Sequence, residues 1–326
     1  MGKLKVYGIG NILIDIVSHA DDQDLENLGL DKGIMKLVEG EERDRIVEFI
    51  SSNDSTYCCG GSAPNTIITL AQLGINTALS GKIGRDHFGE RYEKQLAQHG
   101  VTSFLTSDDG NTGSSIILVS PDSERTMNTS LENNQNYCVN DIQEESIREA
   151  DYLYFTGYMW DTDSQKEALF KAISIAEEAG TQIVFDAADP FAIKRNAGEF
   201  CRLIEEHFDI VLANAEEARL MFGNDDLSEC INRLADLCKI AVVKNGAEGS
   251  VVKSGNEYYD IPVYKVDAID TTGAGDIYAG GFLYGICSGL GLEESGHIAS
   301  KLAAGIVGQM GAQFTMGRLA EIKKSF

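Results

Sequence analysis

Proline, tryptophan and basic residues are scarce in this sequence. Four prolines and one tryptophan occur among 326 residues, so a proline-rich linker between independent domains is not expected. Lysine and arginine together number 27 against 51 aspartate and glutamate residues, which gives a formal net charge of −24. That charge would repel a phosphate backbone or an anionic membrane surface. We therefore expect neither nucleic acid nor membrane as a partner.

Metal-ligand spacings, long apolar runs and an export signal are also missing. The seven cysteines are scattered except for adjacent Cys58 and Cys59, which favours reduced cytoplasmic thiols over a disulfide framework. The uncharged stretches fall short of the roughly 20 residues that a spanning helix needs. The N-terminus runs directly into an apolar strand pattern without signal-peptide features. These absences predict a cytoplasmic location.

Short apolar runs rich in β-branched residues alternate with segments of helical period. The runs that we interpret as buried strands are residues 6–9, 152–156, 182–185, 210–213 and 240–243. Residues 164–179 place alanine, leucine and isoleucine on one stripe, from a serine cap to Gly180. This alternation predicts an α/β fold whose mainly parallel sheet is covered by helices on both faces.

Two stretches, 13–38 and about 103–130, interrupt that rhythm. Within the second, residues 114–119 and 125–129 resemble short strands around a turn at Pro121. Such strands could pair as a small sheet that projects from the main one. We expect it to form a lid over the carboxyl ends of the parallel strands, where open α/β sheets bind ligands.

A glycine-rich run, Asp270-Thr-Thr-Gly-Ala-Gly-Asp276, directly precedes an apolar helical pattern. A glycine turn that opens a helix presents unpaired N–H groups and the positive end of the helix dipole to an anion. Asp276 places a carboxylate beside that anion site, where a general base for a hydroxyl attacking phosphorus would have to lie. The alternative is a simple helix cap with glycines that only pack the helix against a strand.

Two further runs place polar groups at helix starts. Residues 59–65 carry Gly60, Gly61 and Asn65, which allow a close backbone approach and a hydrogen bond to a ligand hydroxyl. Asn214 and Glu217 follow a predicted strand and share a helix face. Their oxygens suit Mg²⁺ and its waters, since Mg²⁺ needs few protein ligands. Each run alone could equally be an ordinary helix cap.

Together and in this order, these runs resemble the motifs of the ribokinase-like (PfkB) family of carbohydrate and nucleoside kinases. The early Gly-Gly-Ser-Ala-x-Asn element is residues 60–65, the Asn-x-x-Glu element is 214–217 and the late Asp-Thr-x-Gly-Ala-Gly-Asp element is 270–276. The run 81–89 also resembles the family's Gly-x-x-Gly-x-Asp-x-x-Gly turn. The resemblance covers nearly the whole chain. It implies a single doubly wound α/β kinase domain over residues 1–326 with a small β-sheet lid.

The resemblance also implies a site. It matches Asp276 to the catalytic base and the backbone from Thr272 through Gly273 and Ala274 to Gly275 to the anion hole for the transferring group. On the substrate side it implies Asn11, Asp15, Gly60, Gly61 and Asn65. On the ATP side it implies Asn214, Lys244, Gly246, Gly249 and Thr272, with Glu217 ordering Mg²⁺ through water. A monovalent cation such as K⁺, which some members bind, would lie at Asp270, Thr272, Gly311 and Thr315.

The activity implied is transfer of the γ-phosphoryl group of ATP to a hydroxyl of a small molecule. Residues 10–15 resemble the opening of adenosine kinases, which favours an adenosine-like nucleoside; a carboxylate at Asp15 would suit a cis-diol. Tyr158, Trp160 and Phe191 could stack on a purine. A sugar kinase acting on ribose, fructose or a keto-sugar is the alternative. The family includes monomers and homodimers that pair through the lid, and the sequence leaves both open.

Two alternative functions, a dehydrogenase and a non-catalytic regulator, have less support in the sequence than a kinase. A dehydrogenase would need a third glycine after Gly8 and Gly10, and that position is Leu13. A non-catalytic nucleotide-binding or sugar-binding regulator would keep the fold without turnover. Asp276, Asn214 and Glu217 are all present, so nothing in the sequence indicates such a loss.

Overall fold

The computed structural model describes residues 3–122, 124–188 and 190–326. Its strands are β1 (Val6–Ile9), β2 (Leu13–His19), β3 (Met35–Leu37), β4 (Ser55–Gly60), β5 (Thr77–Gly84), β6 (Thr102–Asp108), β7 (Gly113–Val119), β8 (Arg125–Ser130), β9 (Tyr152–Thr156), β10 (Gln182–Asp186), β11 (Ile210–Asn214), β12 (Ile240–Lys244), β13 (Ser250–Ser254) and β14 (Glu257–Ile261). Its helices are α1 (Asp22–Leu28), α2 (Gly40–Ser51), α3 (Ser62–Gln72), α4 (His87–Gln98), α5 (Glu144–Glu149), α6 (Asp163–Ala179), α7 (Pro190–His207), α8 (Ala215–Phe222), α9 (Leu227–Leu237), α10 (Ala274–Cys287), α11 (Leu292–Val307) and α12 (Met316–Lys323). Short 3-10 turns cover Glu132–Asn136, Val139–Asp141, Gly157–Trp160 and Gly246–Glu248.

The main sheet of the described residues has nine strands in the order β14-β13-β12-β11-β10-β9-β1-β5-β6. All neighbours from β12 to β6 pair in parallel, whereas β13 and β14 add antiparallel strands at one edge. Helices cover both faces: Ile67 of α3 and Phe282 of α10 belong to one buried cluster, and Leu169 of α6 and Phe200 of α7 belong to another. Because the central strands are buried on both faces, their sequences are continuously apolar. The predicted mainly parallel α/β fold is confirmed.

A second sheet of five strands, in the order β3-β8-β7-β2-β4, forms the lid. Its strands alternate between two faces, as a strand must: Ile14, Ile16, Ile116 and Leu118 are buried in the core cluster, while the intervening residues face the cleft. Residues 102–108, at the start of the predicted lid segment, belong instead to the main sheet, because β6 pairs with β5. The lid also includes β4, which the sequence analysis left out and which pairs with β2.

Three local predictions need correction. The cap of α6 is Thr162, whose side chain accepts from the amide of Gln165 in a reciprocal capping box, rather than a serine. Helix α3 begins at Ser62, inside the run 59–65, whereas that run was expected to precede the helix. The run 81–89 is extended through Gly84 and turns only at residues 85–86, where Asp86 caps α4. At α6 and α4 the helix start is therefore set by a cap hydrogen bond more than by the apolar stripe.

Among the described residues, none of the helices combines the length and the apolar character that crossing a bilayer requires.

Candidate functional site

One large cleft lies between the lid and the carboxyl ends of the parallel strands. Its volume is about 1730 Å³, larger than the roughly 300–1,000 Å³ of a pocket for one small ligand. The cleft extends from the lid, whose first strand follows β1, to the segment after β14 at the far edge of the main sheet. The cleft therefore has room for two ligands side by side.

Asp276 lies in the first turn of α10 and reaches the middle of this cleft. Its carboxylate accepts hydrogen bonds from Ser62 Oγ at 2.6 Å and Asn65 Nδ2 at 3.0 Å, both on α3. Burial raises the pKa of Asp276 to about 6, although the bonds from Ser62 and Asn65 and the charge of Lys244 oppose that rise. The carboxylate is held in place and is deprotonated at neutral pH. Such a group can accept a proton from a ligand hydroxyl.

The turn before α10 contains Gly273, at a position where a side chain would clash with its neighbours. Gly273 has φ +75°, and a Cβ at that position would lie 2.6 Å from the Cβ of Ala312. The first hydrogen bond inside the helix runs from the amide of Ile277 to Gly273 O, so the amides of Gly275 and Asp276 precede it. The amide of Thr272 donates to Asp270 Oδ1 at 3.0 Å. The amide of Ala274 donates to Thr271 O at 3.2 Å. Two of the four amides expected in the anion hole therefore already have partners, which leaves those of Gly273 and Gly275 to form it.

Asp15 lies on β2 and lines the cleft below the lid. Burial raises the pKa of Asp15 to about 7, the charge of Asp276 raises it further, and Arg125 opposes the shift. A Cβ on Gly60 would lie 2.2 Å from Asp15 Oδ1. Gly60 was expected to contact the substrate, but it is not among the lining residues; it makes room for this carboxylate instead.

The two asparagines predicted on the substrate side are both buried and line the cleft. Asn11 donates to Tyr158 O at 3.2 Å and accepts from Gln165 Nε2 at 3.1 Å. Asn65 bonds to Asp276 and accepts from Gln313 Nε2 at 3.4 Å. Asn65 therefore contacts the carboxylate of Asp276, an arrangement that its motif did not reveal. Gly61, with φ +97°, caps α3 at the cleft wall.

On the other side of Asp276, Asn214 and Glu217 form a reciprocal capping box at the start of α8. Asn214 Oδ1 accepts from the amide of Glu217 at 2.9 Å, and Glu217 accepts from the amide and the side chain of Asn214, each at 2.7 Å. Both residues line the cleft. The hydrogen bonds of Asn214 and Glu217 are thus those of an ordinary helix cap. Because both residues also line the cleft, they remain close to a ligand bound there.

Lys244, at the end of β12, forms a buried ion pair with Asp186 at the end of β10. The distances from Nζ to the two carboxylate oxygens are 2.9 and 3.1 Å. Burial lowers the pKa of Lys244, yet the carboxylates of Asp186 and Glu217 raise it above its ordinary value. Nζ lies 3.5 Å from the position of a Cβ on Gly275. Sequence reasoning missed Asp186, although an acidic residue that ends a buried strand was a usable signal.

Apolar residues line both ends of the cleft. Near the turn that contains Gly246 (φ +55°) and Gly249 (φ +91°), the cleft is lined by Val263, Val266, Ala303, Ala304 and Val307. Below the lid it is lined by Leu13, Met35, Leu37, Ile117, Met127 and Leu131. Tyr158 and Phe191 also line it, whereas Trp160 is buried between Phe170 and Phe200. The suggestion that Trp160 stacks on a ligand is therefore wrong.

The residues predicted to hold a monovalent cation do not form a cage of free oxygens. Asp270 Oδ2 accepts from Arg125 Nη1 at 2.6 Å and from the amide of Gly311 at 2.8 Å. Thr315 caps α12, accepting from the amide of Arg318 at 3.3 Å. The described residues also contain no group of three acidic, histidine or cysteine side chains suited to a metal ion.

Asp15 permits a prediction about stability. Its raised pKa means that the folded chain binds a proton there more tightly than the unfolded chain, so ionisation costs stability as pH rises from about 4 towards about 7. Asp15→Asn removes that charge. We expect the variant to gain more in Tm over the wild type at pH 8 than at pH 5, measured by calorimetry. Exposed Asp31→Asn is the control; an equal gain at both pH values would contradict the assignment.

Comparison with known proteins places this cleft in a family. The sequence model of the protein family described as "pfkB family carbohydrate kinase" matches residues 34–317 of this chain. The structure resembles that of adenosine kinase from Sinorhizobium meliloti, with a TM-score of 0.88, 34% identity and 100% of both chains covered. It also resembles a probable sugar kinase from Rhizobium etli, with a TM-score of 0.89 and 32% identity, covering 100% of this chain and 99% of the other.

A curated relative, the 5-dehydro-2-deoxygluconokinase of Geobacillus kaustophilus, is 27% identical over 284 residues, which is 82% of this chain and 84% of the relative. The family match spans most of the chain, and these relatives are kinases. The chain therefore belongs to the pfkB family of carbohydrate kinases and is a phosphotransferase that acts on a hydroxyl group.

Proposed function

We propose that this chain is an ATP-dependent kinase of an adenosine-like nucleoside, with Asp276 as its general base. The observation that carries the nucleoside assignment is the register of the lid. Strand pairing sets Met35, Met127 and Ile117 opposite one another in one row. In the adjacent row it sets Asp15 opposite Ser115 and Ser115 opposite Thr129, with apolar Leu37 beyond Thr129 at the end of the row. A polar row beside an apolar row suits a ligand with hydroxyls at one end and a flat base at the other.

In this proposal the ribose hydroxyls bind near Asp15 and Asn11, because a carboxylate can accept from two adjacent hydroxyls. The primary hydroxyl then lies towards Asp276. Asp276 takes the proton of that hydroxyl, and the hydroxyl oxygen forms a bond to the γ-phosphorus. The bond from the γ-phosphorus to the bridging oxygen breaks, and ADP leaves. The amides of Gly273 and Gly275 stabilise the charge on the transferring group.

ATP, the donor that the family implies, would bind on the other side of Asp276. We assign its phosphates to Lys244 and the amides near Gly246 and Gly249, and its base to the apolar wall that includes Val266 and Val307. The oxygens of half-buried Asn214 and buried Glu217 would suit Mg²⁺ held through water, because Mg²⁺ keeps several of its waters and needs few protein ligands. Bound Mg²⁺ would neutralise phosphate charge.

A free-sugar kinase is the second candidate, favoured by the similarity to proteins named as sugar kinases. A free sugar would leave the apolar row of the lid without a contact. The test is kcat/KM with Mg-ATP for adenosine, inosine, cytidine, ribose, fructose and 2-keto-3-deoxygluconate. The nucleoside proposal predicts the highest value for a nucleoside, and a higher value for any free sugar would overturn it.

The apolar row also makes a prediction for Met127. Met127→Ser removes part of the surface on which the base would lie, so KM for adenosine should rise by about tenfold with kcat little changed. KM for ATP should stay the same. Met310→Ser is the matched control, because Met310 is exposed and does not line the cleft. An unchanged KM for adenosine in Met127→Ser would remove the lid row from the binding site.

A further inference from the structure

Arg125 connects the lid to the loop before α10. It begins β8, where it pairs with Val119 of the neighbouring lid strand. Its Nη1 atom lies 2.6 Å from Asp270 Oδ2 and donates to Thr272 Oγ1 at 3.4 Å. The Asp270 side chain is 5% exposed and the Arg125 side chain 19%. This is a largely buried ion pair between two parts of the fold that frame the cleft.

The hydrogen-bonding capacity of Asp270 is well used in this arrangement. Oδ1 accepts from the amide of Thr272, while Oδ2 accepts from the amide of Gly311 and from the guanidinium. Burial raises the pKa of Asp270, but the hydrogen bonds from Thr272, Gly311 and Arg125 hold it below its ordinary value. The carboxylate of Asp270 is therefore ionised, and the guanidinium of Arg125 already neutralises its charge.

A monovalent metal ion does not fit beside that cation. The position expected for K⁺ uses Asp270 and Thr272, and both side chains contact the Arg125 guanidinium. Gly311 presents its N–H to the carboxylate, and the hydroxyl of Thr315 caps α12. An ion bound to the same carboxylate would face a positive charge at close range, in a site with little solvent to screen it.

We propose that the guanidinium of Arg125 is the resident cation of the Asp270 site, so that this kinase works without a monovalent metal ion. It balances the Asp270 charge next to the turn that we assign to the transferring phosphoryl group. Because Arg125 belongs to the lid, the positive charge is in place only while the lid strand β8 lies against this loop.

The first experiment compares salts on the full-length enzyme. Initial rates of adenosine phosphorylation with Mg-ATP are measured in potassium chloride and in choline chloride at equal ionic strength. We expect wild-type kcat to differ by less than about twofold between the two salts. Activation of the wild type by several-fold in potassium would overturn the proposal.

The second experiment needs no substrate, so it stands even if the nucleoside assignment fails. Arg125→Gln leaves a buried carboxylate without its cation, and potassium binding there should raise the Tm of this variant above its value in choline. The wild type and the charge-preserving variant Arg125→Lys should show no such shift. Arg85→Gln, which loses an exposed arginine paired with Asp109, is the matched control. An equal potassium shift in wild type and Arg125→Gln, or none in either, would count against the proposal.

Discussion

Asp276→Asn should lower kcat by about 10²–10⁴-fold, because the variant can no longer take a proton from the attacking hydroxyl. The carboxylate is held by Ser62 and Asn65 at 2.6 and 3.0 Å, so its position depends on α3 and not on the ligand. The amides at the start of α10 remain in the variant. KM for ATP should therefore change little, since the base acts in the transition state. Steady-state kinetics with adenosine and Mg-ATP measure both constants.

The control for this variant is Glu294→Gln. Glu294 occupies the corresponding position in the first turn of α11 and is exposed, so its loss removes the same kind of helix-dipole interaction without touching the cleft. It should keep wild-type kcat. If Asp276→Asn also kept a kcat near that of the wild type, the assignment of the base would be wrong.

Lys244→Met should lower kcat/KM for ATP by about 10²-fold, because it removes the ammonium group that lies closest to the turn at Gly275. It also leaves Asp186 as an unpaired buried charge. Breaking a buried ion pair from one side costs about 3–5 kcal/mol of folding free energy. The variant should therefore be both less active and less stable, and the two effects must be separated.

The double variant Lys244→Met with Asp186→Asn separates them. Removing the carboxylate takes away the unpaired charge, so the free energy of unfolding should recover towards the wild-type value. The activity should stay low, because the cation is still absent. Denaturant unfolding and ATP kinetics on both variants give this comparison. Full recovery of kcat/KM in the double variant would show that Lys244 only supports the fold.

Local sequence patterns predicted the main sheet well. The runs at β1, β9, β10, β11 and β12 are apolar because those strands are buried on both faces, and their short length and β-branched residues favour strands over buried helix segments. The edge strands were harder to recognise. β6 is half-exposed and rich in threonine and serine, so its pattern resembled the lid strands that follow it. β4 carries no apolar run because four of its six residues are half-buried or exposed.

The motifs predicted several residues that line the cleft, such as Asp15, Asn214 and Asp276, but not the contacts among them. Asp186 and Lys244 lie on strands separated by β11, and Arg125 and Asp270 are 145 positions apart in the chain. No local period connects such pairs, because the topology of two sheets brings them together. The partner of Asn65 was hidden for the same reason: α3 and α10 pack side by side only in the folded chain.

The central claim is that one cleft transfers a phosphoryl group from ATP to a nucleoside hydroxyl through Asp276. The most direct measurement follows ADP formation from Mg-ATP and adenosine, with the product identified by mass spectrometry and Asp276→Asn as the blank. The account predicts rapid formation of ADP and AMP in equal amounts by the wild type, and almost none by the variant. Absence of AMP in the presence of bound ATP, or equal rates in both proteins, would contradict it.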